Sequence, residues 1–194
     1  MMIVGLTGGI GSGKTVVGKF FHELGIPVYD SDLEAKRLMV SSQKVKKSII
    51  ALLGKKAYHG KKLNKTYISN IIFTNETILK KINAIVHPAV KKDFLTWMKK
   101  QDSPYVIQET ALIFENMSQD FYDKVILVTA PKNVRVSRVM KRDDSFKQDV
   151  LARIENQLDD SKKISLSDYV IENIELSKTL AEVKKVHIAL LDYS

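Results

Sequence analysis

Residues Gly8 to Thr15 read Gly-Gly-Ile-Gly-Ser-Gly-Lys-Thr, with glycine, five residues on a second glycine, then lysine and a hydroxyl residue. Such a run can wrap a phosphate chain. Its glycines let backbone N–H groups turn inward on anionic oxygens, and a helix N-terminus behind them adds positive potential. Lys14 can then reach the β- and γ-phosphates, and the Thr15 hydroxyl can ligate Mg²⁺. The loop residues Gly8, Gly9, Ile10, Gly11, Ser12, Gly13, Lys14 and Thr15 are therefore the candidate nucleotide cradle. The apolar run Met2–Leu6 precedes them and the helical pattern Val16–Phe21 follows. That strand–loop–helix context is the one a phosphate-binding loop requires.

Three carboxylates extend the chemistry. Asp30 and Asp32 close a short apolar run, Pro27-Val28-Tyr29, and in extended geometry two residues so spaced point the same way. Asp32 reaches further and is assigned to chemistry, taking or orienting the proton of an acceptor hydroxyl. Asp30 is assigned to structural or metal support; the competing role for either is capping the next helix. Glu109 ends a third strand, Tyr105-Val106-Ile107, where an acid supports Mg²⁺ in nucleotide-binding proteins of this kind. The competing reading is a solvated strand-end carboxylate.

Arginine is scarce: five residues among 31 basic ones, with Arg135, Arg138, Arg142 and Arg153 close together. Planar bidentate contact with phosphate is a task lysine does poorly. Arg135, Arg138 and Arg142 fall at i, i+3 and i+7, on one helical face, as a lid over ATP would need. Asp143 and Asp144 next door offer Arg142 a plain salt bridge instead.

The elements that must hold these residues follow from the pattern. Strands are expected at Met2–Leu6, Pro27–Tyr29, Tyr105–Ile107, Lys124–Thr129 and Asp168–Ile171. The near-continuous apolar run of the fourth fits burial on both faces. Helices lie between them, so the fold class is α/β: a three-layer phosphate-loop fold with about five parallel strands. The core is expected at about 1–32, 101–134 and 166–194. A helical insert covers about 33–100 and a helical lid about 135–165. In such sheets ligands gather at the carboxyl ends of the strands, which would line up the phosphate loop, Asp30–Asp32 and Glu109.

The 194 residues carry a net charge of +9, no cysteine and four scattered histidines. Disulfides and thiolate sites are excluded. No apolar run approaches the ~20 residues that span a membrane, and no targeting segment is expected before the first strand. A cytoplasmic location is expected. From Lys36 to Asn75 there are ten basic residues and no acidic one. That field suits a polyanionic small substrate, nucleic acid or a membrane surface, or is simply a solvated face.

The chain resembles the dephospho-CoA kinase family over nearly its full length. The carriers are Leu6–Thr15, Asp30-Ser31-Asp32 with Ala35, His87-Pro88 and Leu112-Ile113-Phe114-Glu115-Asn116. Arg138-x-x-x-Arg142-Asp143, Arg153-x-x-x-Gln157 and Asp168-Tyr169-Val170-Ile171-x-Asn173 complete the pattern. The resemblance implies ATP-dependent phosphorylation of the ribose 3′-hydroxyl of dephospho-CoA, the last step of CoA biosynthesis, with ATP and Mg²⁺ as cofactors. By the same resemblance Asp32 is the base, and Arg138 and Arg142 are catalytic residues of the lid. Asn173 contacts the nucleotide, and Asp32, His87, Leu112 and Glu115 contact the acceptor, whose pantetheine and diphosphate the insert holds. Two departures stand out. Glu109-Thr110-Ala111 replaces the family's Asp-x-Pro, and Ile174 replaces a glycine after Asn173. A shikimate-kinase-like enzyme is the nearest rival; it would carry a Gly-rich turn where this chain has Glu109-Thr110-Ala111. A nucleic-acid-binding protein ranks third, since no aromatic residues interleave the basic block as stacking would require. Neither a nucleic-acid nor a membrane partner is expected, and the sequence is silent on oligomeric state.

Overall fold

Met2–Thr7 (β1) is apolar at almost every position because both of its faces are covered. In the computed structural model, which describes residues 1–193 with the side chain of residue 73 excepted, β1 is the central strand of a five-stranded sheet. Its companions are Val28–Asp30 (β2), Tyr105–Glu109 (β5), Lys124–Thr129 (β6) and Tyr169–Glu172 (β7), in the order β2-β5-β1-β6-β7. Every pairing is parallel. Successive side chains of β6 serve opposite faces. Ile126 and Val128 enter a core with Val17 and Phe21 of helix α1 (Lys14–Glu23) and Val183, Val186 and Leu190 of α9 (Leu176–Tyr193). Val125 and Leu127 meet Ile113 and Phe114 on the other side. The last strand opens one residue later than its pattern suggests. Asp168 instead turns its carboxylate back on β6, accepting from the Val125 amide at 2.8 Å and from Lys124 Nζ at 3.1 Å.

The chain divides into two compact units, Met1–Asp30 with the residues from Gln101 onward, and Ser31–Lys100. The first unit also carries three helices between β6 and β7: α6 (Lys132–Asp143), α7 (Lys147–Glu155) and α8 (Asp160–Ser165). The second unit contains α2 (Ser31–Ser41), α3 (Gln43–Leu53), α4 (Lys65–Thr74) and α5 (Glu76–Met98). Its core is built from Leu38, Val45, Ile49, Leu53, Ile68, Ile82, Val86, Val90 and Phe94. Each of α3, α4 and α5 starts on a side-chain cap: Ser42 accepts from the Val45 amide, Asn64 from Tyr67 and Asn75 from Ile78. The unit is not wholly helical. Tyr58–His59 (β3) and Lys62–Leu63 (β4) form an antiparallel hairpin turned at Gly60, whose φ of 60° suits glycine. Strands of two residues leave no periodicity in the sequence, so this hairpin carries no sequence signal.

At the amino end of β5 the fully buried Tyr105 places its hydroxyl 2.7 Å from Nδ1 of His187 on α9. Burial lowers the His187 pKa below its ordinary value. The unfolded chain therefore binds the proton more readily, so this contribution is present above about pH 6.5 and fades as pH falls below it. His187→Gln is expected to lower Tm by about 2–4 °C at pH 7.5, the loss of one hydrogen bond of about 1 kcal/mol. Melting curves at pH 7.5 and 5.5 should show the deficit shrinking at the lower pH.

Candidate functional site

The phosphate loop is built as its sequence requires. Gly13 stands at the N-terminus of α1 with φ 91°, and no side chain caps that helix end. A Cβ on Gly13 would lie 2.0 Å from Asn173 Nδ2, and one on Gly11 (φ 79°) would lie 2.5 Å from the Arg135 carbonyl oxygen. These glycines thus serve neighbouring protein as well as any ligand. Lys14 spans the loop, Nζ donating to the Gly8 carbonyl at 2.8 Å. Thr7 Oγ1 and Ser12 Oγ are buried with no hydrogen-bond partner among the described residues. Buried hydroxyls without partners are costly, and anionic oxygens would accept from them, so a nucleotide's phosphates fit this cradle.

The carboxyl edge of the sheet supplies the acids. Glu109 pairs in register with Leu6 on one side and with Asp30 on the other. Its Oε1 accepts from Thr15 Oγ1 at 2.9 Å, and its side chain is buried. The longer arm of glutamate runs close to Gly18: a Cβ there would stand 3.2 Å from Glu109 Oε2, a tight contact that glycine relieves. A hydroxyl and a carboxylate in contact are hard oxygen donors of the kind Mg²⁺ takes, one or two protein groups being completed by phosphates and water. No group of three or more metal-ligating side chains is gathered among the described residues.

Asp32 departs from its expected geometry. The chain passes from β2 straight into α2 at Ser31, so Asp32 is an exposed residue of a helix's first turn. It does not share an extended strand with Asp30. His87 lies within α5 before Pro88. A groove of about 460 Å³ beside it is lined by Pro88, Lys91, Lys92, Leu95, Thr96 and Lys99. Leu112 stays 37% exposed after β5 while Ile113 beside it is fully buried.

The three aligned arginines of α6 do three different jobs. Arg135 is buried, with Nε donating to the Ile10 carbonyl at 2.9 Å and NH1 paired with Asp160 at 2.5 Å. Arg138 donates to the Asn173 carbonyl at 2.9 Å and lies 3.4 Å from the Ser12 carbonyl. The exposed Arg142 is turned to its neighbour Asp143, Nε to Oδ1 at 2.7 Å and NH2 to Oδ2 at 3.0 Å. The i, i+3, i+7 spacing aligned the Cα positions, but local partners decide where each guanidinium points. Asn173 is also engaged with protein, its Nδ2 donating to the Ser12 carbonyl at 2.8 Å and its Oδ1 accepting from Thr179 at 3.2 Å.

Glu115 meets Lys163, which is fully buried on α8, at 2.6 Å; the same oxygen accepts from the Leu158 amide at 3.2 Å. Neither Lys163 nor Asp160 was visible as a site residue in the sequence, because α8 is a single short polar helix. Gln157 was visible only as part of a motif. Removing one partner of a buried pair leaves an uncompensated charge costing about 3–5 kcal/mol. Lys163→Met is expected to destabilise by that amount in urea titrations, and adding Glu115→Gln should recover part of it.

The described residues contain no helix long and apolar enough to cross a membrane. Comparison with known proteins agrees with the geometry. The family model "Dephospho-CoA kinase" matches residues 2–178. A dephospho-CoA kinase from Bacteroides fragilis is 36% identical over 171 residues, covering 88% of this chain and 83% of that protein. The crystal structure of TT1252 from Thermus thermophilus superposes with a TM-score of 0.88 at 30% identity, over 97% of this chain and 96% of that one. A shikimate kinase from Bacteroides thetaiotaomicron, at TM-score 0.55 and 16% identity over 97% of this chain and 98% of its own, shares the fold alone. The parallel sheet, the phosphate loop on its central strand and the match over most of the length together place this chain in the dephospho-CoA kinase family.

Proposed function

We propose that this chain transfers the γ-phosphate of ATP to the ribose 3′-hydroxyl of dephospho-CoA, giving CoA and ADP, in the cytoplasm. The observation that carries the reading is the complete phosphate loop, with its uncapped helix end, Lys14 and buried unpartnered hydroxyls, in a chain matched by the family model over residues 2–178. Lys14 and the phosphate loop from Gly8 to Thr15 hold the transferring phosphates, the Ile10 and Ser12 amides being engaged by Gln157 and by the Gly9 carbonyl. Mg²⁺ would be held by Thr15 and Glu109, with Asp30 beside them in register; when bound, it offsets charge on the phosphate oxygens. Asp32 accepts the hydroxyl proton as the new O–P bond forms and the bond to the ADP oxygen breaks. Arg138 and Arg142 are the lid cations. For Arg142 the role requires exchanging Asp143 for phosphate, which an exposed pair permits at small cost. Asn173 serves the nucleotide through the loop it fixes. His87, Leu112 and the lysines of the 31–100 unit are proposed for the acceptor, whose diphosphate their positive field favours. The structure ties Glu115 to Lys163, so its part is to shape the loop carrying Leu112.

The test is ADP release coupled to NADH oxidation, with ATP and Mg²⁺ against dephospho-CoA, shikimate and nucleoside monophosphates. Turnover is expected with dephospho-CoA alone. Shikimate turnover, or salt-sensitive binding of short DNA with no turnover, would replace this reading.

A further inference from the structure

Ile10, the third residue of the phosphate loop, is gripped from three sides by residues of the α6–α8 region. Its amide donates to Gln157 Oε1 at 2.9 Å. Its carbonyl accepts from Arg135 Nε at 2.9 Å. Its side chain packs against the apolar cluster of Val136, Val139 and Val150. Gln157 Oε1 also lies 3.4 Å from Arg135 NH2, so one carboxamide oxygen closes a ring through both groups. Gly9 is part of the fit: a Cβ there would lie 2.1 Å from Arg135 NH2. The grip is anchored beyond the ring. Arg135 pairs with Asp160, and the Leu158 amide and Lys163 both reach Glu115.

A backbone amide this near the phosphate cradle has a geometry that matters to chemistry, because transfer is limited by positioning and electrostatics. Ile10 has no side-chain means of fixing its own peptide. Gln157 supplies an acceptor from outside the loop, 147 residues away in sequence. We propose that Gln157 is a positioning residue for phosphoryl transfer: with Arg135 it holds the front of the phosphate loop in its nucleotide-receiving shape, so the lid's root and the loop behave as one unit. The inference rests on the kinase reading above. It assigns Gln157 no contact with substrate.

Gln157→Leu removes the acceptor at similar volume, and Gln157→Glu keeps an oxygen for both Ile10 and Arg135. The leucine variant is expected to lose about tenfold in kcat/KM for ATP. KM for dephospho-CoA should stay unchanged and Tm should fall by no more than about 2–4 °C, one hydrogen bond's worth. The glutamate variant should regain most of the loss. ATP affinity measured directly by calorimetry, without acceptor, should fall in the leucine variant and recover in the glutamate variant. Unchanged ATP parameters in a folded leucine variant would overturn the proposal. So would a loss that glutamate does not restore, or one that raises both KM values equally. Wild-type turnover of dephospho-CoA is measured beside these. If it is absent, the kinase reading fails while the calorimetric arm still decides the role of Gln157.

Discussion

Lys14→Ala is expected to lower kcat roughly 10³-fold while the protein stays folded. Lys14 is the first residue of α1, and its ammonium lies over the loop on the Gly8 carbonyl. In that position its ammonium donates to a neutral acceptor. A γ-phosphate offers several charged oxygens in its place, adding the attraction of opposite charges that a neutral carbonyl lacks. Removing a single preorganised donor from a developing oxyanion costs roughly 10²–10³-fold, and Lys14 also carries a full charge, hence the upper figure. The effect on folding should be small. The side chain adds no apolar area to the core of Val17, Phe21 and their neighbours, and alanine is a better helix former than lysine. Tm should therefore move by no more than about 2–4 °C. Steady-state kinetics and a melting curve on the same preparation check both halves. Wild-type kcat in a folded Lys14→Ala protein would remove the loop from the reaction.

The contrast between Lys14 and Gln157 shows what a sequence discloses. The phosphate loop is local: eight consecutive residues contain the turn, the helix start and the cation, so spacing alone reveals it. The parallel sheet was legible for a similar reason, since a strand buried on both faces must be apolar throughout, as Val125–Val128 is. Where a side chain points is not local. Arg135 and Arg142 share a helical face in sequence, yet one turns under Ile10 and the other out to Asp143. The difference is set by Asp160, Gln157 and Asp143, partners at separations from one residue to 25. Glu115 is an acceptor contact only by the family resemblance; its partner in the fold, Lys163, looks in sequence like any other lysine of a lysine-rich chain. The Glu109 departure is the instructive middle case. Glutamate stands where the family has aspartate, and its longer arm runs close to Gly18, one helical turn beyond the loop, where a side chain would crowd it. A compensating pair of this kind can be seen only once strand and helix are packed together.

Asp32→Asn is expected to lower kcat by roughly 10²–10⁴-fold, the usual worth of a general base, with little change in KM for dephospho-CoA. Asn keeps the size and the hydrogen-bonding reach of the side chain, so binding should survive, but it cannot take the proton of the attacking hydroxyl. The rival role for Asp32 is specific to its position. It is an acid in the first turn of α2, where a negative charge against the helix dipole contributes about 0.3–1 kcal/mol. If that were its only task, Asp32→Asn would cost a degree or two of Tm and nothing in kcat. Asp30→Asn separates the two aspartates. Asp30 ends β2 opposite Glu109, so its loss should weaken metal support and be partly overcome by raising Mg²⁺, which the Asp32 defect should not be. The measurement is a kcat and KM series for both variants at two Mg²⁺ concentrations, with melting curves alongside. An Asp30→Asn defect that is larger and independent of Mg²⁺, beside a nearly normal Asp32→Asn enzyme, would transfer the base to Asp30 and leave Asp32 as a helix-terminal charge.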